Sequence, residues 1–273
     1  MKRVLSMVLC FTFIGIGSVF AQSEIPNPVI DQYLQKHFFE VGTEISYIQF
    51  EKPSVMKETG MMYGIVGSYA YHNHVMLRAE GKFAYGQLDY AGETGLTIKS
   101  IPDYMLEVRG LLGCDFVVKA VTITPYLGVG YRWLQDNSQQ KYLGGWKSES
   151  NYIYLPLGLE VVANLGNGWS VGAVVEYDDF LWGKQKNYLS NVDPGWNDVE
   201  INQSEGYGLR GSISIAKKGE RLGFIIEPYV KYWNIDESYN KLVTYKGIPD
   251  GYDYGHEPKN NSTEIGCKLA VKF

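Results

Sequence analysis

The chain has 273 residues, a formal net charge of -5, 45% hydrophobic residues and 20% charged ones. That balance excludes a disordered chain, and the acidic surplus argues against a nucleic-acid binder. The 31 Gly and 22 Tyr, set among alternating apolar residues, favour strands over helices.

Lys2 and Arg3 open the chain and an apolar run follows from Val4 to Phe20. Val19 and Ala21 supply small residues at the cleavage positions, which predicts a signal peptide over 1–21 and a cut before Gln22. Cys10 follows Leu9, which is too large for lipoprotein processing. Residues 22–36 form a periplasmic N-terminal segment in this reading, with Pro26 and Pro28 placed to start a short helix over 29–35. The remainder, 37–273, is one domain. No later stretch reaches the roughly 18 apolar residues of a spanning helix.

From residue 37 onward, ten segments alternate with period two. Phe39, Val41, Ile45 and Tyr47 alternate with Glu40, Gly42, Glu44 and Ser46. A weaker segment carries Ile65, Tyr69 and Tyr71 on one face. Leu77, Ala79, Phe83 and Tyr85 alternate with Arg78, Glu80 and Lys82, and Tyr104, Leu106, Val108 and Leu112 with Glu107 and Arg109. Five more follow, centred on Val129, Leu157, Val175, Ile213 and Val230. The last is the clearest: Ile265, Cys267, Leu269, Val271 and Phe273 alternate with Glu264, Gly266, Lys268, Ala270 and Lys272. Each segment is long enough for the about 9–11 residues of a tilted membrane strand.

Connectors also alternate in length. Short links fall at 72–73, 164–168 and 217–220, and long ones at 135–149, 183–204 and 236–262. Short periplasmic turns opposite long extracellular loops are the pattern of a membrane barrel. The expected fold is therefore all-β, an antiparallel up-and-down transmembrane barrel of about ten strands. A soluble exported sandwich would also alternate, with its apolar face turned inward. Aromatics near segment ends (Phe38, Tyr90, Trp133, Trp182, Trp233 and Phe273) suit girdles at the headgroup layer.

The polar faces place a set of mixed charges in the lumen: Glu44, Arg78, Glu80, Lys82, Glu107, Arg109, Arg132, Glu160, Glu176, Arg210, Glu227, Lys231, Glu264 and Lys268. Small barrels are filled by side chains, so an ion-paired plug is expected ahead of a narrow solute path. Cys114 and Cys267 fall on non-adjacent strands, both outward, and are expected as free thiols.

The final amphipathic strand ending on Phe273 resembles the C-terminal signal of Gram-negative outer-membrane proteins. That resemblance implies insertion by the barrel-assembly machinery and contact with outer-membrane lipid and lipopolysaccharide. Ten strands, a mature length of 252 residues and the loop progression resemble the omptins, outer-membrane aspartate–histidine proteases, and their adhesin-like relatives. Asp193-Pro194-Gly195 in the fourth long loop is similar to an omptin tripeptide that follows an Asp-x-His pair. Here Tyr188 to Val192 precede it and the pair is missing. A water nucleophile needs a base held by a partner, so no catalytic residue carries over.

Asp89, beyond the third segment, has no clear second aspartate beside it. The fifth long loop, 250–257, offers Asp253 and His256 as a pair or as part of a weak cation site. These three are weak ligand-binding candidates. No metal motif and no cofactor motif appears. The loops carry many aromatics and amides, among them Tyr142, Trp146, Trp196 and Tyr245, which suit recognition of sugars or proteins. The expected role is surface-loop binding, adhesin-like, or structural in the envelope. The alternatives are a divergent rim hydrolase and a narrow channel for ions or small solutes.

Overall fold

The computed structural model describes residues 37–273, with 250–254 described at the level of the backbone only. The expected signal peptide and the 22–36 segment lie outside the described residues. Fourteen strands account for most of the chain: β1 His37–Lys52, β2 Met56–Asn73, β3 Val75–Gly92, β4 Thr97–Cys114, β5 Phe116–Val118, β6 Val121–Asn137, β7 Lys147–Gly166, β8 Trp169–Tyr188, β9 Val199–Gln203, β10 Gly206–Lys217, β11 Gly223–Ile235, β12 Lys241–Tyr245, β13 Ile248–Gly255 and β14 Asn260–Lys272.

Ten of these close into one antiparallel barrel, in the order β1-β2-β3-β4-β6-β7-β8-β10-β11-β14 and back to β1. Consecutive barrel strands are neighbours throughout. The seam between β1 and β14 pairs Ile45 with Cys267 and Val41 with Val271, so the two ends of the barrel chain share its outward apolar face. Closure leaves the ring without a free edge. Of the four strands outside the ring, three extend the long-loop rim: β9 pairs with the end of β8, and β12 with β13 as a hairpin in the fifth long loop; β5 pairs with the start of β6 at the opposite rim.

Alternation sets what faces lipid. On β1 the outward positions are Phe39, Val41, Ile45 and Tyr47; Gln49 and Glu51 continue the same face. On β2 the outward apolar run is Tyr71, Tyr69, Ile65, Tyr63 and Met61, followed by Thr59 and Lys57. On β3 it runs from Val75 to Tyr85, with Gln87 and Asp89 beyond. On β4 it spans Leu112 to Tyr104, and on β6 it ends at Trp133. The strands, at 12–20 residues, therefore project past the apolar band at the long-loop rim. Tyr47, Tyr63, Tyr85, Tyr104, Tyr177, Tyr207 and Tyr232 mark the upper edge of that band, with Tyr85–Tyr104 and Tyr207–Tyr232 ring centroids 5.1 and 6.2 Å apart. Phenolic rings suit this layer because one end is apolar and the other wet.

The girdle residues read from sequence divide by parity. Trp133, Trp182 and Phe273 stand on the outer face, whereas Phe38, Tyr90 and Trp233 do not. Trp233 shares the inward face of Tyr229 and Lys231 and is 2% exposed. Phe38 stacks on His72 and Tyr90 faces the lumen. Cys114 and Cys267 are free and sit on β4 and β14, which are not neighbours.

Two glycines make room for inward aromatics. A Cβ on Gly130 would lie 2.1 Å from the Tyr154 ring, and one on Gly158 would lie 2.2 Å from Tyr126. Each tyrosine folds over its neighbouring strand at a position where no side chain can stand. Both hydroxyls then donate to lumen carboxylates, Tyr154 to Glu107 and Tyr126 to Glu176, each at 2.7 Å.

Candidate functional site: the extracellular cup

The lumen has a lower ion-paired region, an aromatic waist and an upper cup. In the lower region Arg78 meets Glu160 at 2.5 Å, Arg109 bridges Glu80 and Glu176, and Lys268 joins Glu40 and Glu227 at 2.5 and 2.6 Å. Arg210 gathers Glu107, Glu176 and Asp178, with its Nε 2.7 Å from Asp178. Lys82 lies between Glu44 and Glu264, and Lys231 stands 3.4 Å from Glu107. Of the lumen charges read from sequence, Arg132 alone has no carboxylate at ion-pair distance among the described residues. The lower cavity among these residues is about 240 Å³.

The waist is a cluster of Tyr152, Tyr154, Phe180, Trp233 and Ile235. Tyr154 and Trp233 pack edge to face at 5.0 Å. Arg132, which lines the cup, lies 5.5 Å from the Trp233 ring; Arg210, which lines the lower cavity, lies 5.9 Å from it. The indole thus separates two guanidiniums.

Above the waist the lumen opens into a cup of about 420 Å³. Its lower wall is apolar: Ile48, Met62, Leu88 and Met105 form a buried cluster with Leu134 against it. Arg132 stands at its base. Its rim is polar and aromatic, with Tyr90, Trp146, Gln185 and Asn187.

Three carboxylates enter this cup from three different strands. Glu58 comes from β2, Asp103 from β4 and Asp136 from β6, and one oxygen of each lies within 4.8 Å of the others. β4 and β6 place Asp103 directly opposite Asp136. All three lie beyond the apolar band of their strands, towards the loops. Burial, and then the neighbouring Asp136 charge, raises the Glu58 carboxyl to about 8. Burial raises Asp136 to about 6, against the Ser138 backbone N–H that donates to its Oδ1 at 3.3 Å. The nearby Lys52 ammonium is committed to Glu257 at 2.7 Å.

The three loop candidates fall elsewhere or only at the edge. Asp89 is half exposed on the outer face of β3, where it accepts from Lys99 at 2.7 Å and from the Ser100 N–H at 3.0 Å. Those two hydrogen bonds hold its carboxyl below the ordinary range. His256 is exposed and contributes to the cup rim, with no described carboxylate in hydrogen-bond reach. Asp253 lies on β13, and its side chain is outside the described residues. The structure therefore brings His256 to the cup and leaves Asp89 outside it. Asp193 caps its own loop, accepting from the Gly195 N–H at 2.7 Å.

No family model matches the chain, and no curated protein matches it. Solved structures do. The outer membrane protease OmpT from Escherichia coli is similar over 88% of this chain and 96% of its own, at 8% identity and a TM-score of 0.55. The chain has the fold of a ten-stranded outer-membrane barrel. The transport unit of the autotransporter AIDA-I from Escherichia coli also matches, at 10% identity over 92% and 93% of the two chains, with a TM-score of 0.45. OprG from Pseudomonas aeruginosa matches at 12% identity over 87% and 96%, with a TM-score of 0.38. At such identity the likeness concerns the path of the backbone, and activity has to be argued from this chain's own side chains.

Proposed function

We propose that this chain is an outer-membrane surface-binding barrel whose cup and long loops take a ligand without cleaving it. The observation that carries this reading is the cup itself. It combines an apolar wall, aromatic and amide rim groups and, at the base, an Arg132 with no ion-pair partner among the described residues, which is the composition of a recognition pocket. Among the described residues no histidine in the cup is oriented by a carboxylate, so the aspartate–histidine arrangement that activates water is not assembled there. Export by the 1–21 signal peptide, insertion through the strand ending at Phe273 and contact with lipopolysaccharide belong to the same proposal.

The test pairs two assays on the full mature chain folded in detergent with lipopolysaccharide. Binding to glycan and peptide arrays is expected, and it should weaken when Trp146→Ala or Arg132→Gln alters the cup. A mixed peptide library should remain intact. Reproducible cleavage abolished by His256→Ala or Asp136→Asn would replace this reading with a rim hydrolase.

A further inference from the structure

We propose that Glu58, Asp103 and Asp136 form a binding site for a hard divalent cation, of the Ca²⁺ class, in the wall of the cup. The inference shares the cup with the proposed binding function but does not depend on it.

Three observations carry it. The first is spacing. Ca²⁺ takes oxygen ligands at about 2.3–2.6 Å, so two oxygens on one ion stand up to about 5 Å apart. One oxygen from each carboxylate falls within that span of both others, at 4.8 Å or less. A single ion can therefore be reached by all three with side-chain shifts of about a few tenths of an ångström.

The second is the lack of partners. Asp103 Oδ1 and Asp136 Oδ2 are buried, and among the described residues they find no donor except, when one of the two is protonated, each other's carboxyl. The Glu58 side chain, on a residue only 7% exposed, accepts no hydrogen bond from any described residue. Buried acceptors are nearly always satisfied, and an orphaned one costs about 1–3 kcal/mol or more when charged. Asp136 Oδ1 already has its donor in Ser138, which leaves Oδ2 for an ion.

The third is charge. The remainder of the lumen matches its carboxylates to Arg or Lys, as the pairs around Arg210, Lys82 and Lys268 show. At the cup the adjacent cation, Lys52, is taken by Glu257. Three acidic groups held together without a counter-charge disfavour full ionisation. A divalent ion supplies the missing charge and lets all three ionise. The cup opening gives the ion water to complete its shell, since Ca²⁺ takes 6–8 oxygens in flexible geometry.

Such an ion would join β2, β4 and β6 at the rim. These strands carry the loops at 52–56, 92–97 and 138–147. Metal occupancy would thus order the wall of the cup.

Calorimetric titration of CaCl₂ into the full mature chain, folded in a non-ionic detergent free of lipopolysaccharide and stripped with chelator, tests the site. One ion per barrel is expected, in the range of about 10⁻⁴–10⁻³ M or tighter. Asp103→Asn and Glu58→Gln should each weaken uptake at least tenfold, whereas Asp89→Asn, which neutralises an exposed carboxylate outside the cup, should leave it unchanged. Heat-modifiable gel migration confirms folding of each variant. The wild-type urea midpoint should rise with CaCl₂ and return with chelator, a readout that needs no variant. No saturable uptake at millimolar CaCl₂, or uptake equal in wild type and the Glu58→Gln/Asp103→Asn double variant, would overturn the site. Either result leaves the array-binding assay free to stand or fail on its own.

Discussion

The lower lumen and the cup use the same residue types to opposite ends. Below the waist, the acidic groups meet a guanidinium or an ammonium from a neighbouring strand, as Glu227 does with Lys268, or from a more distant one, as Glu160 does with Arg78, and the cavity left over is about 240 Å³. Above it, three carboxylates face one another, and an apolar wall encloses about 420 Å³. Buried ion pairs seldom stabilise more than a well-packed apolar core of the same volume would. Their effect here is to fill a narrow barrel while leaving few buried charges uncompensated. The lower region balances its acidic groups with basic ones, and the carboxylate cluster of the cup does not.

The largest effect should come from breaking the lower network. Arg210→Ala leaves Glu107, Glu176 and Asp178 without their shared cation. Removing one partner of a buried pair costs about 3–5 kcal/mol. Urea unfolding in bilayers should show a loss of that size. A change below about 1 kcal/mol would mean the lower network is hydrated rather than buried.

The cup should respond to pH with the opposite sign to a paired acid. Glu58 is raised to about 8 in the fold, against about 4.3 in the unfolded chain. The folded state therefore holds a proton that the unfolded state loses between those values. In chelator, stability should be greatest below pH ~4.3 for this group and fall as pH rises towards about 8. Glu58→Gln should flatten that slope, and a slope unchanged by the substitution would place the titration elsewhere.

A smaller effect is expected at the glycine joint. Gly130→Ala puts a methyl group into the Tyr154 ring, and overpacking of this kind costs about 1–3 kcal/mol. Pairing it with Tyr154→Phe should give additive losses if the hydroxyl and the ring act separately, and non-additive ones if displacement of the ring breaks the Glu107 hydrogen bond. The smallest belongs to Asp89→Asn. Its ion pair with Lys99 is exposed to solvent, and such pairs contribute little. Unfolding of this variant should overlay the wild type, which makes it the reference for substitutions in the cup.

The barrel was legible because a strand with one face in lipid and one in the lumen must alternate. Phe273, Val271, Leu269, Cys267 and Ile265 show this almost without interruption. The same rule, carried further, locates what the connectors hid. Asp136 shares a face with Arg132 and Leu134, Asp103 with Met105 and Glu107, and Glu58 with Gly60 and Met62. Because the strands continue past the apolar band, residues that read as loop are strand and point inward. Trp233 follows the parity of Lys231 for the same reason, although its type suits a girdle. What no alternation could supply is the encounter itself. Glu58, Asp103 and Asp136 come from three strands far apart in sequence, and only barrel closure and register place their oxygens together.

The account rests most on the cup being blind. Trp233 packs on Tyr154 between Arg132, which lines the cup, and Arg210, which lines the lower cavity, and the two cavities share no lining residue. Planar-bilayer recording of the folded chain tests this directly. The account predicts no discrete conductance steps from the wild type, and their appearance when Trp233→Ala removes that indole. Stable steps from the wild type, altered by Arg132→Ala or Glu176→Ala, would contradict it and make the barrel a channel.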